Sequence, residues 1–343
     1  MNAFRLIAAL AVLGVVVSLA AGCGIDAYAG LRQAQQERML QQKTSQSLDG
    51  RTRIAKTRLI EQLKAPPQIV IFGGSRAMRF DPAYIHRRTG LTAFNAAVTH
   101  ARPEDAWALL NLLHARFPNA GFRFLWVIHG DEFIRRPIDA AVLLDPALAR
   151  FFPPSLVETQ TAQAAVRDQG TVTTAQIDLP SRGGLVYAPD GYAVSGFFSN
   201  GTPPPGGHPG AVSADIRKEL QTYGSSPVAL YPRSVRYFVK DLRLMDSLSP
   251  APPAIVAAPF DRRIYTATFF RGWGTRHHRI LRLLGRLHAS TRFSYLDLSR
   301  AVAHGFTPSE FYDGIHLTPQ GAERVIDLVL SRFPRAFLVA RAP

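Results

Sequence analysis

The chain has a single cysteine, Cys23, so no internal disulfide framework can be drawn, and cysteine usage does not report the redox compartment. It has few lysines. Arginine carries most of its basic charge, and Lys plus Arg total 40 against 25 Asp plus Glu, a formal net charge of +15. No basic run interleaved with aromatics occurs, which argues against a nucleic-acid partner. The arginines fit either solvated faces or attraction to an anionic membrane surface or acidic polymer. There is no internal repeat. No histidine, cysteine and carboxylate set stands at metal-ligand spacing, so the sequence calls for no metal and no cofactor. Apolar residues are not scarce: at 47% of 343 residues they support a real core, in one large or two small domains.

Charge is absent from Leu6 to Ile25, "LIAALAVLGVVVSLAAGCGI". As a helix these 20 residues reach about 30 Å, the thickness of a bilayer's hydrocarbon core. Three readings compete: an uncleaved signal anchor, which is the expectation adopted; a lipoprotein signal ending at Cys23; and a cleaved secretory signal. All three send the rest of the chain to the membrane or beyond it. The expected localisation is a single pass through the inner (cell) membrane, with the domain in the periplasm or cell exterior. Arg5 precedes the segment while Arg32 and Arg38 follow it, so charge alone does not set the orientation.

Residues 26–65 are polar, Gln-rich and helix-favouring, and read as a spacer between the 1–25 segment and a domain over 66–343. "QIVIF" is a buried-strand pattern that stops at Gly73-Gly74-Ser75-Arg76. "PAYIHRRTG" suits a short helix ended by Gly90. "TAFNAAV", "PEDAWALLNLLHARF" and "FRFLWVI" then read as strand, helix and strand. This alternation predicts a three-layer α/β/α domain with a parallel central sheet. From about 137 to 230 the rhythm breaks into turn-rich sequence, read as an insertion on the sheet's rim with a mobile loop around 197–212. Regularity returns with a helix over about 231–247, the strand "AIVAAPF", the basic amphipathic helix "RHHRILRLLGRLHAST", the strand "FSYLDL" and a closing helix, "PQGAERVIDLVLSRF".

Candidate chemistry sits at the two ends of this domain. In "FYDGIHLTPQGAERVI", Thr318 can cap the closing helix and Pro319 suits its first turn, which pins the short loop carrying Asp313 and His316. A histidine paired with a carboxylate is half of a nucleophilic triad or half of a metal site. Ser75 follows the first strand directly, and in open α/β sheets sites form outside the strands' carboxyl ends. A serine hydroxyl needs a histidine to take its proton and a carboxylate to orient that histidine, and Ser75, His316 and Asp313 supply each role once. Alone, a Gly-Gly-Ser turn also serves as a plain tight turn or a phosphate loop, and an Asp-x-x-His pair as a capping arrangement. Asp131 and Glu132 form an acid pair that a strand-end turn explains as well. His277 and His278 are expected at the surface, and Asp190 and His208 are groove candidates in the insertion.

Three stretches, "IVIFGGSRAMRFDP", "FNAAVTHARPEDA" and "FYDGIHLTPQGA", resemble blocks one, two and five of the SGNH (GDSL-type) hydrolases. More narrowly, the chain is similar to membrane-anchored SGNH-like proteins of cell-envelope acylation, among them the alginate O-acetylation proteins and the D-alanine transfer protein of teichoic acids. That resemblance implies a flavodoxin-like SGNH domain with Ser75 as nucleophile, His316 as general base and Asp313 as orienting acid. It implies an acyl-ester hydrolase (acetylesterase) or O-acetyltransferase working on envelope carbohydrate, with acylated polysaccharide as substrate and a membrane-bound acyltransferase as partner. A non-catalytic SGNH-fold protein that binds polysaccharide or a partner is the alternative. Two positions depart from the family pattern. His100 stands where block two carries a glycine whose N–H helps hold the oxyanion. Gly130, in "IHGD", stands where block three carries the oxyanion asparagine, a donor worth about 2.7–4 kcal/mol. His129 and Arg102 are the candidate replacements.

Overall fold

The alternate residues Val70 and Phe72 face one hydrophobic cluster while Ile69 and Ile71 face another, as a strand covered on both sides requires. They form β1 (Ile69–Gly73) in a computed structural model that describes residues 48–161, 186–195, 213, 216–221 and 228–337. The same alternation runs through β2 (Ala93–Asn95) and β3 (Arg123–Ile128). A small antiparallel pair, β4 (Val186–Tyr187) and β5 (Ala193–Ser195), stands apart. β6 (Ala254–Ala257) and β7 (Ser294–Asp297) complete a five-stranded, all-parallel sheet in the order β2-β1-β3-β6-β7.

Helices cover both faces. On one side lie α1 (Leu48–Gln62), α3 (Pro103–Arg116), α4 (Pro232–Leu248) and α5 (Gly274–Leu287), through Ile60, Leu109, Leu113, Phe238, Met245 and Ile280. On the other lie α2 (Pro82–Thr89) and α6 (Pro319–Arg332), through Ile85, Val325 and Val329. The fold is therefore an α/β domain with a parallel central sheet, consistent with three layers. Strand order reverses between β1 and β3, so a crevice opens where their carboxyl ends diverge. Ser75 lies just beyond β1 and His129 just beyond β3.

α1 differs from the expected spacer. Its polar residues Thr52, Arg53, Lys56 and Thr57 are buried, because the domain supplies partners. Arg53 pairs with Asp105, and Lys56 donates to the Asn95 carbonyl at 2.6 Å and to that of Gly191. Burial lowers the Lys56 pKa well below its ordinary value, against the pull of Asp190. The remaining spacer, residues 26–47, lies outside the described residues, as does the Leu6–Ile25 segment. Among the described residues no helix is long and apolar enough to cross a membrane. Within 137–230 the described parts hold short helices at Ala140–Leu144 and Pro146–Ala149, a helix over 154–161, and the β4–β5 hairpin. The expected loop at 197–212 lies outside them.

Candidate active site

The nucleophile candidate sits on a turn held from below. Gly73 has φ +148, and a Cβ there would lie 2.6 Å from the Val127 carbonyl oxygen, so only glycine lets β1 run this close beside β3. The chain then turns, with Ala77 N–H bonded to the Gly74 carbonyl at 2.9 Å. Asn95, fully buried at the end of β2, donates its amide to the Ala77 and Phe80 carbonyls at 2.8 and 2.9 Å. Its Oδ1 accepts from Ala97 N–H. The neighbouring strand thus fixes the underside of the Ser75 turn.

The acid–base loop is closed on itself. Phe311 and Leu317 form an antiparallel bridge, and Tyr312 N–H donates to the His316 carbonyl at 2.9 Å. Thr318 caps α6 by accepting from Gly321 N–H at 3.2 Å, with Pro319 in the first turn. Asp313 Oδ1 accepts the amides of Ile315 and His316 at 3.0 and 2.7 Å, while Oδ2 faces His316 Nδ1 at 2.5 Å. Burial pushes the Asp313 pKa up, but the His316 charge and these hydrogen bonds outweigh it and hold the carboxyl below its ordinary value. A carboxylate facing Nδ1 keeps the proton there, so His316 Nε2 is the acceptor for the Ser75 hydroxyl, 2.9 Å away. The structure therefore brings Ser75, His316 and Asp313 together at the crevice.

The positions expected to hold an oxyanion, His100 and Gly130, differ in how they are built. His100 adopts φ +45, the only positive φ of a non-glycine among the described residues, so its backbone takes the conformation a glycine would adopt at lower cost. Its imidazole is exposed rather than crowding the pocket. At Gly130 a Cβ would lie 3.2 Å from Arg276 Cδ and 3.8 Å from Trp273 Cδ1, so a side chain there would press on Arg276. Arg276 is anchored by Asp131 at 3.1 Å. His129 Nδ1 accepts from Asp131 N–H at 3.3 Å. Burial, reinforced by the charges of Arg76, His100, Arg136 and Arg276, lowers the His129 pKa well below its ordinary value. The ring is neutral, and its proton sits on Nε2, 3.4 Å from the point where a Cβ on Gly74 would lie. The Ser75 and Ala101 amides donate to no acceptor among the described residues.

Arg102 stands at the start of α3, where its backbone N–H donates to Asp105 Oδ2 at 2.9 Å. Burial lowers its pKa, against the pull of Asp105. His277 departs from the expected surface position. It is buried, stacks on Trp273 with centroids 4.9 Å apart, and meets Asp297 Oδ2 at 2.7 Å. Asp190 serves the hairpin turn, taking Asn95 N–H on its carbonyl and Tyr192 N–H on its side chain. His208 lies outside the described residues. No group of three or more metal-ligating side chains occurs among the described residues.

Sequence reasoning missed two contributors, both arginines of the turn after Ser75. Arg79, four residues past Ser75, donates to the Ala193 carbonyl at 3.1 Å and to the Tyr312 hydroxyl at 3.2 Å, tying the nucleophile turn to the hairpin and to the residue before Asp313. Arg76 is buried with its guanidinium 4.0 Å from the Phe260 ring centroid. Phe260 in turn walls a pocket of about 200 Å³ shared with Arg262, Tyr265, Thr266 and Arg300. Glu132 is buried, no hydrogen bond of ordinary geometry reaches its carboxyl, and burial raises its pKa well above the usual range against the opposing His129 amide and Arg76. The available signal was two arginines inside an otherwise buried turn, "SRAMRF". No protein-family model matches the chain, and a search of curated proteins returns no match.

Proposed function

We propose that the chain is an SGNH-type serine acyl-ester enzyme, membrane-tethered and facing the periplasm or cell exterior. It removes or transfers a small acyl group, foremost acetyl, on envelope carbohydrate. One observation carries the reading: Asp313 Oδ2 to His316 Nδ1 at 2.5 Å, continued by His316 Nε2 to Ser75 Oγ at 2.9 Å. A serine held this way at the carboxyl edge of a parallel sheet is equipped for nucleophilic acyl chemistry. The resemblance of the Ser75, Asn95–His100 and Asp313–His316 stretches to SGNH blocks supports the same reading, since all three border one crevice.

In the first half-reaction Ser75 Oγ attacks the acyl carbonyl carbon and its proton passes to His316 Nε2. Asp313 steadies the resulting imidazolium. The Ser75 and Ala101 amides and His129 Nε2–H are the donors for the oxyanion. Collapse breaks the ester C–O bond, and His316 returns its proton to the leaving sugar oxygen, leaving acyl-Ser75. In the second half water or a sugar hydroxyl gives a proton to His316 and attacks the acyl carbon; the bond from that carbon to Ser75 Oγ then breaks, and His316 returns the proton to Ser75 Oγ. Water gives hydrolysis; the hydroxyl gives transfer. A membrane-bound acyltransferase fits as partner, as supplier of acyl groups.

The second reading is an SGNH-fold protein that binds polysaccharide or a partner without chemistry. Gly130 favours it, because it supplies no side-chain donor where block three carries an asparagine, and a side chain there would press on Arg276. Turnover of a small activated acetyl ester separates the two. Ser75→Ala and His316→Ala should each abolish it, and the double variant should be hardly worse than either single, because residues acting as one unit are not additive. Folded Ser75→Ala protein with wild-type turnover would remove the enzyme reading, and binding of polysaccharide by an inert wild type would establish the alternative.

A further inference from the structure

Between Arg262 and Leu296 the sequence contains no Asp or Glu, but eight arginines and three histidines. α5 lies in this stretch and buries Ile280, Leu283, Leu284 and Leu287 in the core, which fixes its rotation about its axis. The opposite face presents Thr275, His278, Arg282 and Arg286 to solvent, at spacings of three to four residues that make one stripe, and Arg271 is exposed just before the helix. Among the described residues Arg271, Arg279, Arg282 and Arg286 make no ion pair. No carboxylate among the described residues pairs with the stripe's positive charge.

At its N-terminal end the chain kinks. Arg271 and Gly272 leave helical geometry, Gly272 with φ +98, and the kink pushes Phe270 outward until 86% of it is exposed. Phe270 meets Phe269 edge-on with centroids 5.2 Å apart, and Phe269 meets His278 at 6.1 Å, so the aromatic tip and the basic stripe form one continuous surface. An exposed aromatic beside a row of unpaired arginines matches the interfacial pattern of an apolar wedge entering the headgroup boundary while cations hold anionic headgroups. A soluble acidic polymer would satisfy the arginines but gives no reason for the bare phenylalanine.

We propose that the Phe270 tip and the basic face of α5 dock on an anionic lipid surface. Phe270 inserts at the headgroup level and Arg271, Arg279, Arg282 and Arg286 neutralise lipid charge. The proposal stands apart from the acyl-ester reading, because none of these residues touches Ser75, His316 or Asp313. Docking this face would set the orientation of the domain against the membrane and so the direction in which the crevice opens.

The full chain, reconstituted in bilayer nanodiscs of neutral lipid or of neutral lipid mixed with phosphatidylglycerol, tests this. The added emission of a Phe270→Trp variant over the wild type should shift to the blue. Lipids brominated in the acyl chain should quench it in the anionic discs only. High salt should reverse the effect, and each of Arg279→Gln, Arg282→Gln and Arg286→Gln should weaken it by about fivefold. These side chains lie at the surface, so the variants fold, and far-UV circular dichroism checks it. Absence of quenching in anionic discs overturns the proposal, as does quenching indifferent to salt and to the arginines. Blue-shifted emission produced by an added acidic polysaccharide in neutral discs, with none in anionic discs, would overturn it in favour of a glycan partner.

Discussion

Arg53 grips Asp105 through two hydrogen bonds of 2.7 Å, Nε to Oδ1 and Nη2 to Oδ2, with both side chains buried. The pair ties α1 to the first turn of α3, where Asp105 also takes the Arg102 amide. Removing one member of such a pair leaves the other charge buried and uncompensated. Arg53→Ala should cost about 3–5 kcal/mol in urea unfolding. A chain begun at residue 66 should lack a cooperative transition that a chain begun at residue 45 retains. An unchanged midpoint for Arg53→Ala would show that α1 is a spacer after all.

His129 offers a test of the oxyanion site. Its neutral ring directs Nε2–H toward the Gly74–Ser75 turn, so His129→Ala should lower kcat by about 10²–10³ with little change in KM. His129→Gln, which keeps an N–H donor, should recover part of the loss. Unchanged kcat in His129→Ala would leave backbone amides as the only donors.

What the sequence made legible follows from how each signal arises. "QIVIF" and "FRFLWVI" were readable as strands because both faces are buried and nearly every residue is apolar. The α6 start was readable because Thr318 and Pro319 act locally. α1 was not readable as core, because a face of Thr52, Arg53, Lys56 and Thr57 matches a solvated helix until Asp105, Asn95 and Gly191 are brought against it. His277 was misplaced for the same reason: its partner Asp297 lies 20 residues on, at the end of β7. Ser75, Asp313 and His316 were legible because a serine directly after the first strand and an acid–histidine pair ahead of a capped helix are local patterns, whereas the approach of Arg276 to Gly130 depends on a contact across 146 residues that no local pattern announces.

Glu132 predicts a pH dependence of stability. Its pKa is raised by burial in the folded chain and ordinary in the unfolded one. As pH rises, the unfolded chain loses the proton first, so this contribution is fully present below the ordinary carboxylate value and is lost as pH climbs toward the folded value. Asp241, buried and likewise raised, adds to the trend, while Asp313 and Asp297, both lowered, contribute stability lost only in acid. Glu132→Gln removes one titrating group. Its stability relative to the wild type, from chemical unfolding at pH 5 and pH 8, should therefore improve at the higher pH. A difference that stays constant across that range would mean that Glu132 does not change charge there.

The most direct measurement of the central claim is covalent labelling of Ser75 by a fluorophosphonate, read by intact mass and peptide mapping. Ser75 hydrogen-bonded to a histidine that Asp313 holds should take the label in the wild type, slowly or not at all in His316→Ala, and at a reduced rate in Asp313→Asn. Labelling of the wild type at Ser75 that depends on His316 is the predicted result. A folded wild type that stays unlabelled, or that labels as fast with alanine at position 316, would contradict the account.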